Sequence, residues 1–255
     1  MVKSEDSRAV KSTRTAFRIV ERLKDSGGAR LTDIANELDL AKSTVHQQLS
    51  ALSQMGYVVQ DDQEYHVGLK FLDIGEAARS RKPVYKLAKP LVEDIAAQTE
   101  ERAQFFAEEN GRGIYIHTEQ GKHAVQTGRR VGKRRYLHSS AGGKAILAHL
   151  PEQDVDRIVD QWGLPKETEN TYTTRKSLTE NLTAIRDRGY SINKSESIDG
   201  LWAIGVPVLR PNNMPAGAVS VSGPRHRIGA QENKEQLIEL LLGTANELEL
   251  KIAHQ

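Results

Sequence analysis

The sequence predicts an α+β protein with an N-terminal winged helix-turn-helix domain, a linker helix, and a larger C-terminal domain whose antiparallel sheet is flanked by helices. Three observations predict it. Apolar residues at helical spacing fill three segments within 12–55, period-two alternation follows at 57–68, and the rest of the chain mixes strand-like runs with amphipathic helices. The predicted boundaries are 1–68 for the first domain, 69–82 for the linker helix and 83–255 for the second domain.

The first two helices are predicted from apolar residues that recur at intervals of three and four. The first helix begins behind Ser12 as its N-cap and ends at Ser26-Gly27-Gly28. The second helix covers about 31–38 with Thr32 as its cap, and Asp39-Leu40 forms a tight turn after it.

A third helix is predicted over about 41–55. Val45, Leu49 and Leu52 face the core, and Gly56 is positioned to end the helix. Two helices joined by so short a turn indicate a helix-turn-helix, a motif whose last helix lies in the major groove of DNA.

The exposed face of the third helix carries amides and hydroxyls, whereas an ordinary solvated face is rich in Lys and Glu. Amides and hydroxyls pair with base edges, and the start of a helix holds phosphates through its free N–H groups. An exposed polar face with no DNA role is the alternative. The predicted DNA-binding residues are Lys42, Ser43, Thr44, His46, Gln47, Ser50 and, on the first helix, Arg14.

Positive charge is concentrated near the N-terminus, although the net charge of the chain is only +2. Residues 1–30 contain eight Lys and Arg against four Asp and Glu, which suits a DNA-binding segment. Residues 57–68 predict a hairpin, the wing, with an acidic tip at Asp61-Asp62-Gln63-Glu64. Because this tip repels phosphate, we expect the wing to be structural rather than a strong DNA contact.

In the second domain, Asn110-Gly111 predicts a hairpin turn between strands at 102–108 and 112–117. Further strands are predicted at 189–192, 202–208 and 216–221. Helices are predicted at 84–95, 142–149, 153–162, 177–188 and 231–252. The four phenylalanines of the chain are assigned to hydrophobic cores: Phe17, Phe71, Phe105 and Phe106.

Five stretches of the sequence form recognisable motifs: Leu31-Thr32-Asp33-Ile34-Ala35, Ala41-Lys42-Ser43-Thr44-Val45-His46, Gly56-Tyr57-Val58, Leu137 through Ala148, and Gly217 through Pro224. Together they resemble the IclR family of prokaryotic transcription regulators, and the resemblance covers about Ser12 to Ile252. It implies a GAF-like effector-binding domain, dimers that often pair into tetramers, and control of catabolic genes by a bound sugar derivative or organic or aromatic acid. Double-stranded DNA, as a palindromic operator, is the partner that the resemblance implies.

The two C-terminal motifs also favour a ligand site on physical grounds. Ala141, Gly142 and Gly143 open a helix with small residues that let a ligand approach free N–H groups. Ser220 and Ser222 lie on one face of a strand, and inward hydroxyls need partners that a polar ligand provides. Serines satisfied within a packed core are the alternative.

The resemblance places two more residues on the pocket wall. Asn193 and Ala203 stand where glyoxylate-sensing members of the family tend to have an acidic residue and a cysteine. This departure implies an uncharged wall and an effector other than glyoxylate. The predicted ligand-binding residues are Ala141, Gly142, Gly143, Asn193, Ala203, Ser220 and Ser222.

No enzyme is predicted. The chain has no cysteine, and Gly143-Lys144 fails as a phosphate loop because His138 and Ala145 stand where Gly and Ser or Thr are needed. No two of the eight histidines lie three or four residues apart, so no helical metal pair is evident. We expect no metal site, no cofactor and no catalytic residue. The alternative is a small-molecule-binding enzyme or a GAF-like signalling module with an incidental helix-turn-helix.

Two further expectations concern location and charge. No apolar run approaches the roughly 18 residues that a membrane span needs, so we expect a cytoplasmic protein without a membrane partner. The basic run Arg129–Arg135 contains no acid. It fits a solvated loop, a second DNA-contacting patch or an anion-binding rim, and the loop is favoured.

Overall fold

The chain folds into two units in the computed structural model, which describes residues 10–128 and 130–254. The first unit ends at Ala78 and the second begins at Arg79. Within the described ranges, no helix is both long and apolar enough to cross a lipid bilayer.

The first unit is a winged helix-turn-helix, as predicted. Its sheet is antiparallel in the order β1-β3-β2, and β2 and β3 form the wing. The elements in chain order are α1 (Lys11–Ser26), β1 (Ala29–Arg30), α2 (Leu31–Glu37), α3 (Lys42–Gln54), β2 (Val58–Asp61), β3 (Glu64–Val67) and α4 (Lys70–Ser80), the helix expected as a linker.

Both predicted helix caps in this unit are wrong. Val10 is the N-cap of α1, so Ser12 lies inside the first turn. Arg30 is the N-cap of α2 and Thr32 lies within that helix. Arg30 already pairs with Glu64 in the two-residue strand β1, so the chain passes from strand to helix without a capping side chain. Such a short strand shows no alternation, and the sequence did not predict it.

The core of the first unit forms where α1, α2 and α3 meet. Phe17 was assigned to this core, and that prediction is wrong because its side chain is 58% exposed. At 100° per residue it points away from Ile19, which is fully buried on the inner face of α1. The inner residues include Ile19, Leu23, Ile34, Val45, Leu49 and Leu52.

The second unit is built on a six-stranded antiparallel sheet in the order β6-β5-β4-β9-β8-β7. Its strands are β4 (Arg102–Glu109), β5 (Arg112–Gln120), β6 (Arg134–Arg135), β7 (Ser191–Lys194), β8 (Leu201–Leu209) and β9 (Pro215–Pro224). Its helices are α5 (Pro83–Thr99), α6 (Ala141–Leu147), α7 (Glu152–Trp162), α8 (Arg175–Arg188), α9 (Arg225–Ile228) and α10 (Gln231–Ala253).

The predicted Asn110-Gly111 turn joins β4 and β5. Both residues have positive φ, 53° and 74°, as a two-residue hairpin turn with the twist of its strands requires. The sequence did not predict β6 or α9, because elements of two and four residues are too short to show a period.

The two faces of the sheet pack against different helices. Phe105, Val219 and Val221 lie in one core with α5 and α10, whereas Phe106 and Ala218 lie in another with α6, α7 and α8. Residues two positions apart on a strand face the same side of the sheet. Gln104 therefore lies on the face of Phe106, and Ser220 and Ser222 lie on the face of Ala218. All three polar side chains face α6.

Candidate DNA-binding face and effector pocket

Helix α3 presents one apolar and one polar face. Its apolar face is buried through Val45, Leu49 and Leu52. The polar face contains the residues predicted to bind DNA: Lys42, Ser43, His46 and Gln47 are exposed, and Thr44 and Ser50 are half-buried. The third helix thus exposes hydrogen-bonding groups on the side away from the core.

The start of α3 is open to a phosphate group. Ala41 occupies the N-cap position and has no side chain that could satisfy the first-turn N–H groups. These N–H groups and the exposed Lys42 side chain both favour an anion.

Two of the arginines of α1 have partners within the first unit. Arg22 pairs with Glu37, and Arg18 Nη2 donates to the carbonyl of Leu38 at 3.1 Å. Arg14 is exposed on α1. The basic residues among 1–9 lie outside the described part of the chain.

In the second unit, most of the predicted ligand-binding residues meet at one small cavity of about 10 Å³ between α6 and the sheet. A cavity of this size holds at most a single water molecule. The wall is formed by Gln104, Phe106, Tyr115, Ser140, Ala141, Gly142, Asn193, Ala203 and Ser220. Gly143 and Ser222 do not line it directly.

Both predicted serines have a protein partner. Gln104 Nε2 donates to Ser222 Oγ at 2.8 Å, and Ser220 Oγ donates to Gln104 Oε1 at 3.2 Å. Gln104 therefore satisfies both hydroxyls, as the alternative of core serines requires, and the binding of a ligand by Ser220 and Ser222 stays a prediction. Gln104 was not singled out in the sequence because its partners lie 116 and 118 positions away.

Asn193 is held between two segments of backbone. Its Nδ2 donates to the carbonyl of Ser139 at 2.6 Å, and its Oδ1 accepts from the N–H of Glu196 at 2.9 Å. Ala203 lies opposite both Asn193 and Ser222 in the sheet register. The wall is uncharged at these two positions.

The glycines at the start of α6 allow close packing. A Cβ on Gly142 would lie 3.2 Å from Phe106 Cβ, and one on Gly143 would lie 2.3 Å from the carbonyl oxygen of Leu137. Ser140 caps the helix by accepting from the N–H of Gly143 at 3.2 Å. The two glycines therefore let α6 pack closely against Phe106 and against the loop before the helix.

A buried ion pair lies beside this wall. Lys144 Nζ donates to Glu196 Oε1 at 2.6 Å and to the carbonyl of Ile192 at 2.9 Å. The two side chains are 0% and 4% exposed. Burial lowers the pKa of Lys144 and raises the pKa of Glu196, because each charged form loses its water. Because the backbone N–H of Glu196 also donates to Asn193 Oδ1, the pair ties α6 to the pocket wall.

His138 lies buried in the loop before α6, where its Nε2 donates to the carbonyl of Pro165 at 3.1 Å. Burial lowers the pKa of His138, and the hydrogen bond to Pro165 opposes this only in part. The neutral imidazole is therefore the form that the fold favours.

The depressed pKa of His138 predicts a pH-dependent stability. As the pH falls below about 6.5, the unfolded chain binds a proton before the folded chain does. The stabilisation is present above that pH and is lost as the pH falls toward the folded-state pKa. His138→Gln keeps a donor for Pro165 and does not titrate. Urea unfolding is thus expected to show less loss of stability on acidification in the variant than in the wild type.

The control for this measurement is His226→Gln, since His226 is exposed. The stability of the His226→Gln variant should depend on pH as that of the wild type does. If His138→Gln loses stability on acidification as steeply as the wild type, the pH dependence does not come from His138.

The basic run is only partly a loop. Arg134 and Arg135 form β6 against β5, and Arg135 pairs with Glu167 at 2.9 Å, with both side chains about four-fifths buried. Pairing with β5 explains why the predicted loop is wrong at this end. Arg129 lies outside the described residues.

The fold and the composition of α3 define a DNA-binding regulator of the winged helix-turn-helix class, with a second α+β unit attached. The family model described as "IclR helix-turn-helix domain" matches residues 12–62, and that described as "Bacterial transcriptional regulator IclR C-terminal" matches residues 76–250. The chain belongs to the IclR family of transcriptional regulators. This confirms the resemblance and the prediction that the protein is not an enzyme.

Relatives and solved structures agree along nearly the whole chain. The chain is 33% identical over 251 residues to the "Probable HTH-type transcriptional regulator ArcR" of Halobacterium salinarum, covering 97% of this chain and 95% of that protein. The crystal structure of the Thermotoga maritima IclR has a TM-score of 0.81 and 28% identity, covering 94% and 98% of the two chains. An IclR homologue from Microbacterium hydrocarbonoxydans, complexed with 4-hydroxybenzoate, has a TM-score of 0.80 and 21% identity, covering 95% and 99%.

Proposed function

We propose that this regulator binds a palindromic operator as a homodimer, or as a tetramer of paired dimers, with α3 of each subunit in the major groove. The polar face of α3 carries the proposal. Lys42, Ser43 and Thr44 hold phosphates at the helix start, while His46, Gln47 and Ser50 contact base edges. Arg14 adds a phosphate contact from α1. Binding to the chromosome implies that the protein acts in the cytoplasm.

An exposed apolar surface supports the dimer. Phe17, Met55 and Ile74 are 58%, 51% and 45% exposed and line a groove of about 580 Å³ between α1, α3 and α4. Exposed apolar patches of this kind mark interaction sites. A second copy of the chain is the occupant, because a palindromic operator is read by two recognition helices in two-fold symmetry.

The effector site is the cavity between α6 and the sheet. Its wall combines apolar side chains with a few hydrogen-bonding ones, as sites for small organic molecules do. The 4-hydroxybenzoate complex of the Microbacterium hydrocarbonoxydans homologue supports an aromatic acid as one candidate class, and sugar derivatives and other organic acids are the others. Ala141, Gly142, Gly143, Asn193, Ala203, Ser220 and Ser222 form or support this site.

Substitution of the α3 face tests the DNA-binding role. Gln47→Ala is expected to weaken binding to the operator by about 1–3 kcal/mol and to relax its specificity at one base pair. Lys42→Ala is expected to weaken operator and random DNA alike and to lower the salt slope by about 1. Fluorescence anisotropy with the upstream region of the protein's own gene, over a salt series, measures both effects.

Matched controls are Gln153→Ala and Lys176→Ala, which remove exposed side chains of the same types from α7 and α8. They should bind DNA as the wild type does. If the α3 variants keep wild-type specificity and salt dependence, α3 is not the reading helix.

A further inference from the structure

The proposed effector cavity is closed by its own polar side chains. At about 10 Å³ it is far too small for an organic molecule. Gln104, Ser140, Asn193 and Ser220 form its polar wall, and each makes a hydrogen bond within the protein. An effector can enter only if part of this wall moves, and any polar side chain that moves must give up its partners.

The costs of moving these side chains differ. Ser140 caps α6, and Asn193 accepts the N–H of Glu196. Moving either one leaves a buried backbone N–H unsatisfied, which costs more than the loss of an ordinary hydrogen bond. Both of these side chains are therefore fixed parts of the wall.

Gln104 is held differently. Its amide bonds the hydroxyls of Ser220 and Ser222, with only a long contact of 3.4 Å from Nε2 to the carbonyl of Arg102. A glutamine has three side-chain torsions, and hydroxyls reorient to suit a new partner. When Gln104 moves, the groups that lose a partner are two hydroxyls that a ligand can satisfy.

We propose that Gln104 is the gate of the effector pocket: its amide leaves Ser220 and Ser222 when an effector enters, and a compact planar polar group of the effector takes its place between the two hydroxyls. This proposal rests on the effector-binding function proposed above. The sheet register supports it, because Gln104 pairs directly with Ser220 and all three side chains face α6. Selectivity then follows from how well the incoming group reproduces the hydrogen bonds of the amide.

Acetamide is the probe, because it carries the same primary amide as the glutamine side chain. In the wild type it must displace Gln104, so its apparent affinity is reduced by the rarity of the open state. Gln104→Ala leaves space and two free hydroxyls, and we expect its Kd for acetamide to be about tenfold lower than that of the wild type, the factor that corresponds to about one net hydrogen bond. Ligand-observed NMR on the full-length protein without DNA measures the Kd.

Three further variants make the test decisive. Gln104→Met fills the same volume but is not held by the hydroxyls, so it should also bind acetamide more tightly than the wild type, and it decides the question if Gln104→Ala does not fold. Adding Ser222→Ala to Gln104→Ala should remove most of the gain. Gln98→Ala, an exposed glutamine on the other side of the sheet, should bind as the wild type does.

The gate is overturned if neither Gln104 variant binds acetamide more tightly than the wild type, or if the gain survives Ser222→Ala. Failure of the wild type to bind its operator would instead contradict the proposed function. Because the probe experiment contains no DNA, the two failures are told apart.

Discussion

Replacing Lys144 by Met is expected to lower the free energy of unfolding of the second unit by about 3–5 kcal/mol. Lys144 is fully buried, and its ammonium group is the partner of a carboxylate that is only 4% exposed. Without it, Glu196 must either keep an uncompensated buried charge or bind a proton. The carboxylate would keep the N–H of Lys194 on Oε1 at 3.3 Å, whereas Oε2 has no hydrogen-bond partner within the described residues.

Two further variants, Glu196→Leu and the double variant Lys144→Met with Glu196→Leu, separate the effect of charge pairing on stability from the effect of packing. Glu196→Leu alone strands the ammonium group of Lys144 and should cost a similar amount. The double variant removes both charges and should recover much of the lost stability, because well-packed apolar residues can replace a buried ion pair. Urea unfolding followed by tryptophan fluorescence measures each step, since both tryptophans of the chain, Trp162 and Trp202, lie in the second unit.

An exposed ion pair is the control. Lys166 pairs with Glu169 at 2.7 Å, with side chains 52% and 88% exposed. Lys166→Met should cost less than about 1 kcal/mol, because water screens such pairs. If Lys144→Met is as mild as Lys166→Met, or if the double variant is no more stable than the single ones, the buried pair does not hold this wall together.

The ion pair also shows what the sequence could not predict. In the sequence, Lys144 belongs to the motif from Leu137 to Ala148 and to a failed phosphate loop. Neither predicts its partner, because Glu196 lies 52 positions away and no local pattern connects the two. Their burial depends on how α6 sits against the sheet. Long-range polar partners of this kind are settled by packing, which local periodicity does not report.

Elements with a clear period were predictable for the opposite reason. The core face of α3 follows from the spacing of Val45, Leu49 and Leu52, and the β4–β5 turn follows from the preference of Asn110-Gly111 for positive φ. Both depend on a few neighbouring residues. The misplaced caps and the unpredicted strand β1 depend instead on contacts between segments.

The candidate pocket could be predicted from the sequence only in part. Alternation correctly placed Ser220 and Ser222 on one face of β9. What they bond to could not be inferred, because Gln104 comes from a strand more than a hundred positions earlier. The identity of a partner across a sheet requires the register of two distant strands.

Phe106→Ala is expected to destabilise the second unit by about 3–5 kcal/mol, the usual range for deleting a buried aromatic ring. Phe106 is 1% exposed and meets Tyr115 edge-on, with ring centroids 5.0 Å apart. A Cβ added to Gly113 would lie 2.0 Å from atoms of the Phe106 ring. Gly113→Ala is therefore also expected to be destabilising, by about 1–3 kcal/mol.

The two substitutions should be strongly non-additive. Once Phe106 is Ala, the ring that clashes with the new methyl group is gone, so Gly113→Ala should cost little in that background, and the coupling between the sites should reach about 1 kcal/mol or more. Gly243→Ala is the control, because nothing lies within 4 Å of a Cβ at this exposed position in α10. It should stabilise the protein by about 1 kcal/mol through helix propensity. Equal costs of Gly113→Ala in both backgrounds would show that β5 needs glycine for its backbone rather than for the Phe106 ring that closes the pocket wall.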